Sequence, residues 1–439
     1  MTDKKDKKIA IIGAGITGLA LGFWLSKKGF KVTIFEKRKV PGGFLETVRI
    51  GNSRVERYYH HIFKNDTFVL DLLKKLGLIE DLNWFRSTIS IYTKGRFFKL
   101  MTPWDFLKLP FLSPITKIRL GLAMLYLKNN KNWGKFSQVT VKDWITKIAG
   151  REAWDHFWGP LFYGKFEEKA SLISAAWFWS RVHIRVNSQE KNREVLGYLK
   201  GSFGKLIAKL IKEIKKNQGK VRLDKEVLKI ERLSKSNQFS VETQNKKEIY
   251  DIVVSTINPY ELIKISQFNR DYQNELKKVS YLGIICLLLV LKEKQSKYYW
   301  NNIFDSEIPF KIILEHTNFS SAKNYKGNYL VYLGQYCNPD SKLFRLPNKK
   351  LKEIYISYLT QIFPEVKSKI KKVILSKSRY AQPIIEIDYQ KLSNKTPLRN
   401  FYITSLSHIY PEDRGINAGL KEVKKITDTI LSEVSPVKK

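Results

Sequence analysis

Gly13-Ala14-Gly15-Ile16-Thr17-Gly18 stands between a short apolar run and a segment whose apolar residues recur at helical spacing. Glycines in that pattern permit a tight turn, a close approach of backbone to a pyrophosphate, and contact between helix and strand. The anion is then held at the positive end of the helix. Glu36 closes a second apolar run, residues 31–36, where a carboxylate can accept hydrogen bonds from a ribose. The chemistry these residues suit is dinucleotide binding. Lys37 and Arg38 follow the acid, and Pro41-Gly42-Gly43-Phe44 comes just beyond. A second glycine pair brings another stretch of backbone to the same ligand, which a nicotinamide dehydrogenase does not require. No second Gly-x-Gly-x-x-Gly occurs, so a separate NAD(P)H domain is not expected.

Three further groups could do chemistry. Histidine is scarce, six in 439 residues, yet His60 and His61 are adjacent in Arg57-Tyr-Tyr-His60-His61-Ile-Phe63. A neutral imidazole can donate a hydrogen bond or take a proton from a substrate. The alternative is one core histidine and one that caps a loop. Glu56 and Arg57 either orient the pair or form a solvated ion pair. Arg414 and Gly415 precede a final helix through Ile416 and Asn417. That helix start offers backbone N–H groups and partial positive charge to a group that gains negative charge. Arg414 adds to that charge or serves a structural salt bridge. Trp154, Trp158, Trp177 and Trp179, with Phe157, Phe162 and Phe178, either wall an apolar pocket or form plain core. No Cys/His metal constellation and no Ser/His/Asp pattern is present, so no metal is expected.

These residues need elements to hold them. A chain of 439 residues suggests two to three domains, and 43% hydrophobic with 13% aromatic residues excludes a disordered chain. Residues 8–36 read as a βαβ unit. Asp66 is placed to cap a helix that closes at Gly77, and 88–100 reads as a hairpin turning at Lys94-Gly95. Residues 204–216 read as a helix, and 220–223, 226–232 and 250–256 as strands. The apolar stretch 282–291 is too short to cross a bilayer and reads as a buried strand. The fold class expected is α/β, a Rossmann-like dinucleotide domain interleaved with an α+β substrate domain. Residues 1–85, 198–260 and 385–434 would form the first, and 86–197 with 261–384 the second.

Glu36-Lys37-Arg38-Lys-Val-Pro-Gly42-Gly43 resembles the segment after the first βαβ unit in the FAD-dependent amine-oxidase-like superfamily. That group includes protoporphyrinogen oxidases, phytoene desaturases and UDP-galactopyranose mutases. Residues 198–206 resemble its glycine turn into a helix, 251–259 its returning strand, and 415–419 the start of its last helix. The resemblance implies a GR2-type FAD domain with contacts at Gly13 to Gly18, Glu36 to Arg38, Gly42 to Phe44, Val227, Thr256 and Gly415 to Asn417. It also implies that the stretch through His60 and His61 passes under the isoalloxazine, and it points to Arg414 as a catalytic residue. Two departures stand out. Leu406 replaces the usual acid of a Gly-Asp pair, leaving that role to Asp413 or to nothing, and Phe44 stands where Arg or Lys is common. No cysteine follows position 337, so the FAD is expected to be non-covalent.

Lys plus Arg outnumber Asp plus Glu by 79 to 41, a net charge of +38, which points to a polyanionic partner. The basic residues are scattered and no nucleic-acid module is visible, so an anionic membrane face is favoured over nucleic acid. Residues 103–135 combine Trp104, Phe106 and Phe111 with six basic residues, as an interfacial anchor requires. Two cysteines and a Lys-rich start at 1–8 without a signal-peptide core suggest the cytoplasmic side, associated with the membrane. The function expected is an FAD-dependent oxidoreductase moving hydride between a lipophilic, isoprenoid- or porphyrin-like substrate and flavin N5. A UDP-galactopyranose-mutase-like enzyme is the alternative, and a flavoprotein that binds a lipid or partner without turnover the third.

Overall fold

The computed structural model describes residues 6–191, 193–234 and 236–434; residues 1–5 of the Lys-rich start lie outside them. Five parallel strands form the first sheet, in the order Lys220–Arg222, Lys31–Phe35, Lys8–Ile12, Ile252–Ser255 and Phe401–Ile403. In Lys8–Ile12 and Lys31–Phe35 every residue after the first lysine is buried, because helices or strands cover both faces of a parallel sheet. From the central strand, Lys8–Ile12, the chain builds the sheet first to one side, with Lys31–Phe35, and later to the other, with Ile252–Ser255. That reversal opens a crevice beyond the carboxyl ends of the strands, where such folds bind ligands.

The second sheet has seven strands and uses the parts of the chain that the first omits. Its order is Ile370–Pro383, Tyr281–Leu291, Tyr329–Cys337, Ile312–Glu315, Trp300–Ile303, Ile89–Thr93 and Arg96–Lys99. Tyr281–Leu291 is buried at all 11 positions, which explains an unbroken apolar run without alternation. The expected hairpin is present, with Thr93 opposite Arg96, and Lys94 and Gly95 at φ of 49° and 75°. Two positive φ values suit a two-residue turn between twisted strands.

Helices fill the space between the sheets. Ile16–Lys27 and the final helix, Ile416–Val434, lie side by side on the parallel sheet. The aromatic segment is helical but interrupted: a π-helical turn over Trp154–Trp158 precedes the helix Gly159–Phe166. Such an insertion shifts side chains relative to a regular helix and is frequent at functional sites. Asp66 does not cap Thr67–Lys75 as expected, because its carboxylate accepts from Phe63 N–H. Asn417 Oδ1 caps that helix instead, accepting from Phe68 N–H at 2.9 Å and Val69 N–H at 3.3 Å.

Candidate active site

The glycine turn sits at the crevice of the parallel sheet. Gly15 is the N-cap of Ile16–Lys27, and a side chain built on it meets nothing within 4 Å. Gly18 is the opposite case, since a Cβ there would lie 2.0 Å from the Gly13 carbonyl oxygen. The fold therefore requires Gly18, whereas at Gly15 the space is left for a ligand. Glu36 accepts from Ala14 N–H at 2.9 Å and from Arg38 N–H at 3.0 Å, tying the first turn to the loop behind it. Gly42 N–H donates to the Ala14 carbonyl at 2.8 Å, so the two glycine turns meet, as one ligand gripped by both requires.

The other proposed contact residues divide. Gly415, Ile416 and Asn417 line a cavity of about 640 Å³ at the start of the final helix, and Phe44 lines it beside Tyr58. Asn417 Oδ1 is committed to its helix cap, leaving its amide N–H groups and its backbone for a ligand. Thr256 Oγ1 donates to the Ile12 carbonyl at 2.9 Å, so its hydroxyl secures the turn. Val227 is buried in the core with Ile12 and Phe35, at the start of a strand whose approach bonds to the Glu36 loop. Lys37 pairs with Glu261 at 3.7 Å, and Arg38 pairs with the buried Glu46.

His60 and His61 both line the cavity. His60 Nδ1 lies 2.7 Å from the Tyr58 carbonyl, which can only accept, so Nδ1 carries the proton and Nε2 keeps its lone pair. His61 packs edge-on against Phe63 and Trp300, with Nδ1 3.4 Å from the Tyr299 hydroxyl. Burial lowers His60 to about 4 and His61 to about 3, so both are neutral near pH 7. Glu56 and Arg57 do not orient them. Arg57 Nε donates to Glu46 at 2.6 Å, and Glu56 accepts from the Tyr198 hydroxyl and Phe203 N–H, each at 2.7 Å.

Glu56 carries a pH effect of its own. Burial raises it from 4.5 to about 7, so the folded state binds the proton more tightly than the unfolded chain. That stability is complete below pH 4.5 and lost as pH rises through 7. Relative to the parent, Glu56→Gln should gain on the order of 3 kcal/mol between pH 5 and pH 8. Denaturant titrations across that range check this, and parallel profiles for the two proteins would refute it.

Arg414 and Asp413 line the same cavity. Arg414 Nε donates to Gln382 at 2.8 Å, and its guanidinium bonds the Tyr336 hydroxyl and lies over that ring at 4.9 Å. The reading of Arg414 as a structural salt bridge fails, since these partners are neutral. Asp413, the candidate for the missing Gly-Asp acid, is engaged by the protein itself. It accepts from Trp177 Nε1 at 3.1 Å and Arg181 Nη1 at 2.8 Å, with Lys165 Nζ at 3.6 Å. Of the aromatic cluster, Phe157, Trp158, Phe162, Trp177 and Phe178 line the cavity. Trp154 is core, and Trp179 turns away to donate to the Asn130 carbonyl. Lys165, Arg181 and Tyr336 escaped sequence reasoning, because their shared partners at 413–414 are distant in sequence. The one local signal was Arg181-Val-His-Ile-Arg185, two cations one helical turn apart.

A parallel sheet with two glycine turns at its switch point, beside an aromatic cavity walled by a second sheet, defines a dinucleotide-binding flavoprotein fold. The chain belongs to the flavin-containing amine oxidoreductase family, whose model matches residues 16–410. The mitochondrial protoporphyrinogen oxidase of Nicotiana tabacum is 28% identical over 162 residues, 36% of this chain and 32% of that protein. The match thus spans about a third of that relative's length. A protein provisionally assigned as a protoporphyrinogen oxidase from Exiguobacterium sp. 255-15 superposes with a TM-score of 0.79 and 16% identity, covering 98% of this chain and 99% of that one. Reduced UDP-galactopyranose mutase gives a TM-score of 0.75 and 17% identity, over 98% and 96% of the two chains. At such identities the structural likeness bears on fold alone. The family's cofactor is a flavin, and the open space at Gly15 beside the Gly42–Gly43 backbone fits its pyrophosphate.

Proposed function

We propose that this protein is an FAD-dependent oxidoreductase acting on a lipophilic substrate at an anionic membrane face. The supporting observation is one cavity with two kinds of wall. The start of the final helix, His60, His61 and Arg414 line it together with the rings of Phe157, Trp158, Phe162 and Phe178. When bound, the flavin supplies a two-electron acceptor or donor for hydride. His60 Nε2 takes the proton that leaves with hydride, and the aromatic wall excludes water from the reacting carbon. Arg414 and the backbone N–H groups of Gly415 to Asn417 oppose the negative charge that builds on reduction. A cysteinyl-flavin bond is not part of this proposal, since Cys286 and Cys337 are both buried outside the cavity lining.

The membrane part of the proposal rests on residues 103–135, though not on all the side chains the sequence suggested. Phe106 packs on Phe157 and Phe111 on Phe98, while Leu109 and Leu112 are buried. The helix Pro114–Asn129 is apolar on two faces. It buries Leu120, Ala123 and Leu127, and exposes Ile115, Ile118, Leu122 and Leu125 by 53–63%. Trp104 is 73% exposed beside this stripe. Lys108, Arg119, Lys128, Lys131 and Lys135 surround it, all exposed, and each is worth about 1 kcal/mol near an anionic surface. Among the described residues, no helix is long and apolar enough to cross a membrane. Because Phe106 touches Phe157, a cavity-lining ring, a substrate leaving the bilayer at this stripe enters beside the aromatic wall.

The cluster of Arg181, Arg185, Arg414 and Tyr336 on the same cavity favours a second reading, a flavin-dependent mutase for a nucleotide sugar. One experiment separates the two. Holoprotein is mixed anaerobically with phosphatidylglycerol vesicles carrying membrane lipid extract, or with UDP-sugars, at low and high salt. Co-sedimentation and flavin bleaching are followed together. Binding that salt weakens but does not abolish is expected, with bleaching only by the lipid. Trp104→Ala/Ile118→Ala/Leu122→Ala should remove the salt-resistant part of binding. No binding at low salt would remove the membrane claim, and ring isomerisation of a UDP-sugar by chemically reduced holoprotein, with no bleaching by lipid, would replace it with the second reading.

A further inference from the structure

The cavity wall holds more positive charge than the fold itself uses. Among the described residues, Asp413 is the single carboxylate within 4 Å of both Arg181, at 2.8 Å, and Lys165, at 3.6 Å. Arg414, the next residue along the chain, bonds only neutral partners, Gln382 and Tyr336. Two cations therefore share one carboxylate, and a third, Arg414, has no ion-pair partner among the described residues. The nearby pairs Arg185–Glu194 and Lys421–Glu412 are already balanced, and Lys311 is held by three backbone carbonyls. Asp66 also lines the cavity, bonded to Phe63 N–H, and His60 and His61 are neutral.

Aromatic rings surround the excess charge. Lys165 Nζ sits 4.4 Å from the centre of the Trp177 ring and 5.1 Å from that of Phe166, and Arg181 lies over Trp177 at 5.8 Å. Ring faces stabilise a cation only modestly and do not take the place of a counter-ion. Three other polar atoms in the same cavity lack a partner among the described residues: the acceptor Asn65 Oδ1 and two groups able to donate. The Trp158 indole N–H and the Tyr59 hydroxyl are buried without a hydrogen-bond partner. An indole N–H can only donate, so it calls for an acceptor on a ligand. Burial lowers Lys165 to about 7 and Arg414 to about 10, the direction expected of cations short of negative partners.

We infer that the substrate is an anionic amphiphile, with an oxyanion head, carboxylate or phosphate, received by Lys165, Arg181 and Arg414. Its apolar body lies against Phe157, Trp158, Phe162 and Phe178. The inference rests on the proposed lipophilic substrate and narrows it, since a purely hydrocarbon ligand would leave the three cations as they are. It concerns binding and not turnover, so it can fail while the redox proposal stands.

The test measures binding to the holoprotein by isothermal titration below the micelle limit, with laurate, dodecyl phosphate and 1-dodecanol as matched probes. At least one anionic probe should bind ten-fold or more tighter than the alcohol, and the tighter of the two assigns the head as carboxylate or phosphate. Lys165→Met and Arg181→Met should each cut that preference at least five-fold and leave the alcohol's affinity unchanged. Lys165→Arg and Arg181→Lys should retain it. Equal affinity for the alcohol and both anions would overturn the proposal in the parent protein alone, whatever the variants do. A preference that survives both methionine variants would also overturn it, by locating the anion elsewhere.

Discussion

Gly15→Val is expected to give a folded protein that has lost its flavin. Gly15 has φ −70° and ψ 175°, extended backbone that valine adopts readily, and no atom stands within 4 Å of the added Cβ. The loss of a favourable N-cap costs about 1 kcal/mol at most, so the melting transition of the cofactor-free protein should barely move. The branched side chain would, however, occupy the space beside Gly42 and Gly43 where the pyrophosphate is held. Affinity should fall by roughly 100-fold or more, about 2.7 kcal/mol. Gly18→Val provides the contrast, since its Cβ would meet the Gly13 carbonyl at 2.0 Å and the fold itself should suffer. Flavin absorbance after purification and the melting curve of each variant test the pair. Stoichiometric flavin in Gly15→Val would show that the ligand lies elsewhere.

The second large effect is expected at the histidine pair. His60→Ala and His61→Ala should both retain flavin, because neither side chain belongs to the glycine turns. At least one should slow flavin reduction roughly 100-fold or more, the usual range for a lost proton acceptor. Since burial holds the two at about 4 and 3, the rate should show no inflection near pH 6.5. Stability should carry the sign of a depressed pKa. The unfolded chain takes up protons below 6.5 that the folded one refuses, so the fold weakens as pH falls from 6.5 toward 4. Each alanine variant should lose part of that acid sensitivity. Parental reduction rates in both variants would make the pair structural.

The sequence by itself determined the elements that depend on local chemistry. The βαβ unit, the hairpin at Lys94-Gly95, the buried strand Tyr281–Leu291 and the glycine turn were legible because periodicity and backbone freedom act over a few residues. The same holds for membership of a flavoprotein superfamily, carried by the two glycine turns and the acid between them. Side-chain partnerships were another matter. Asn417 was read as a cofactor contact, yet its amide caps a helix 349 residues earlier in the chain. Glu56 sits four residues from the histidines but bonds to Tyr198 and Phe203, and Asp413 holds Arg181 and Lys165. Phe106 and Phe111 were read as outward-facing, while Ile118 and Leu122 are the ones that face solvent. The physical reason is common to all of these. A charge or an amide pairs with whatever the folded chain brings within 3 Å, and a helix apolar on both faces has no local signal for which face is buried. Only the packing of the two sheets around one cavity decided which carboxylates were spent and which cations were left over.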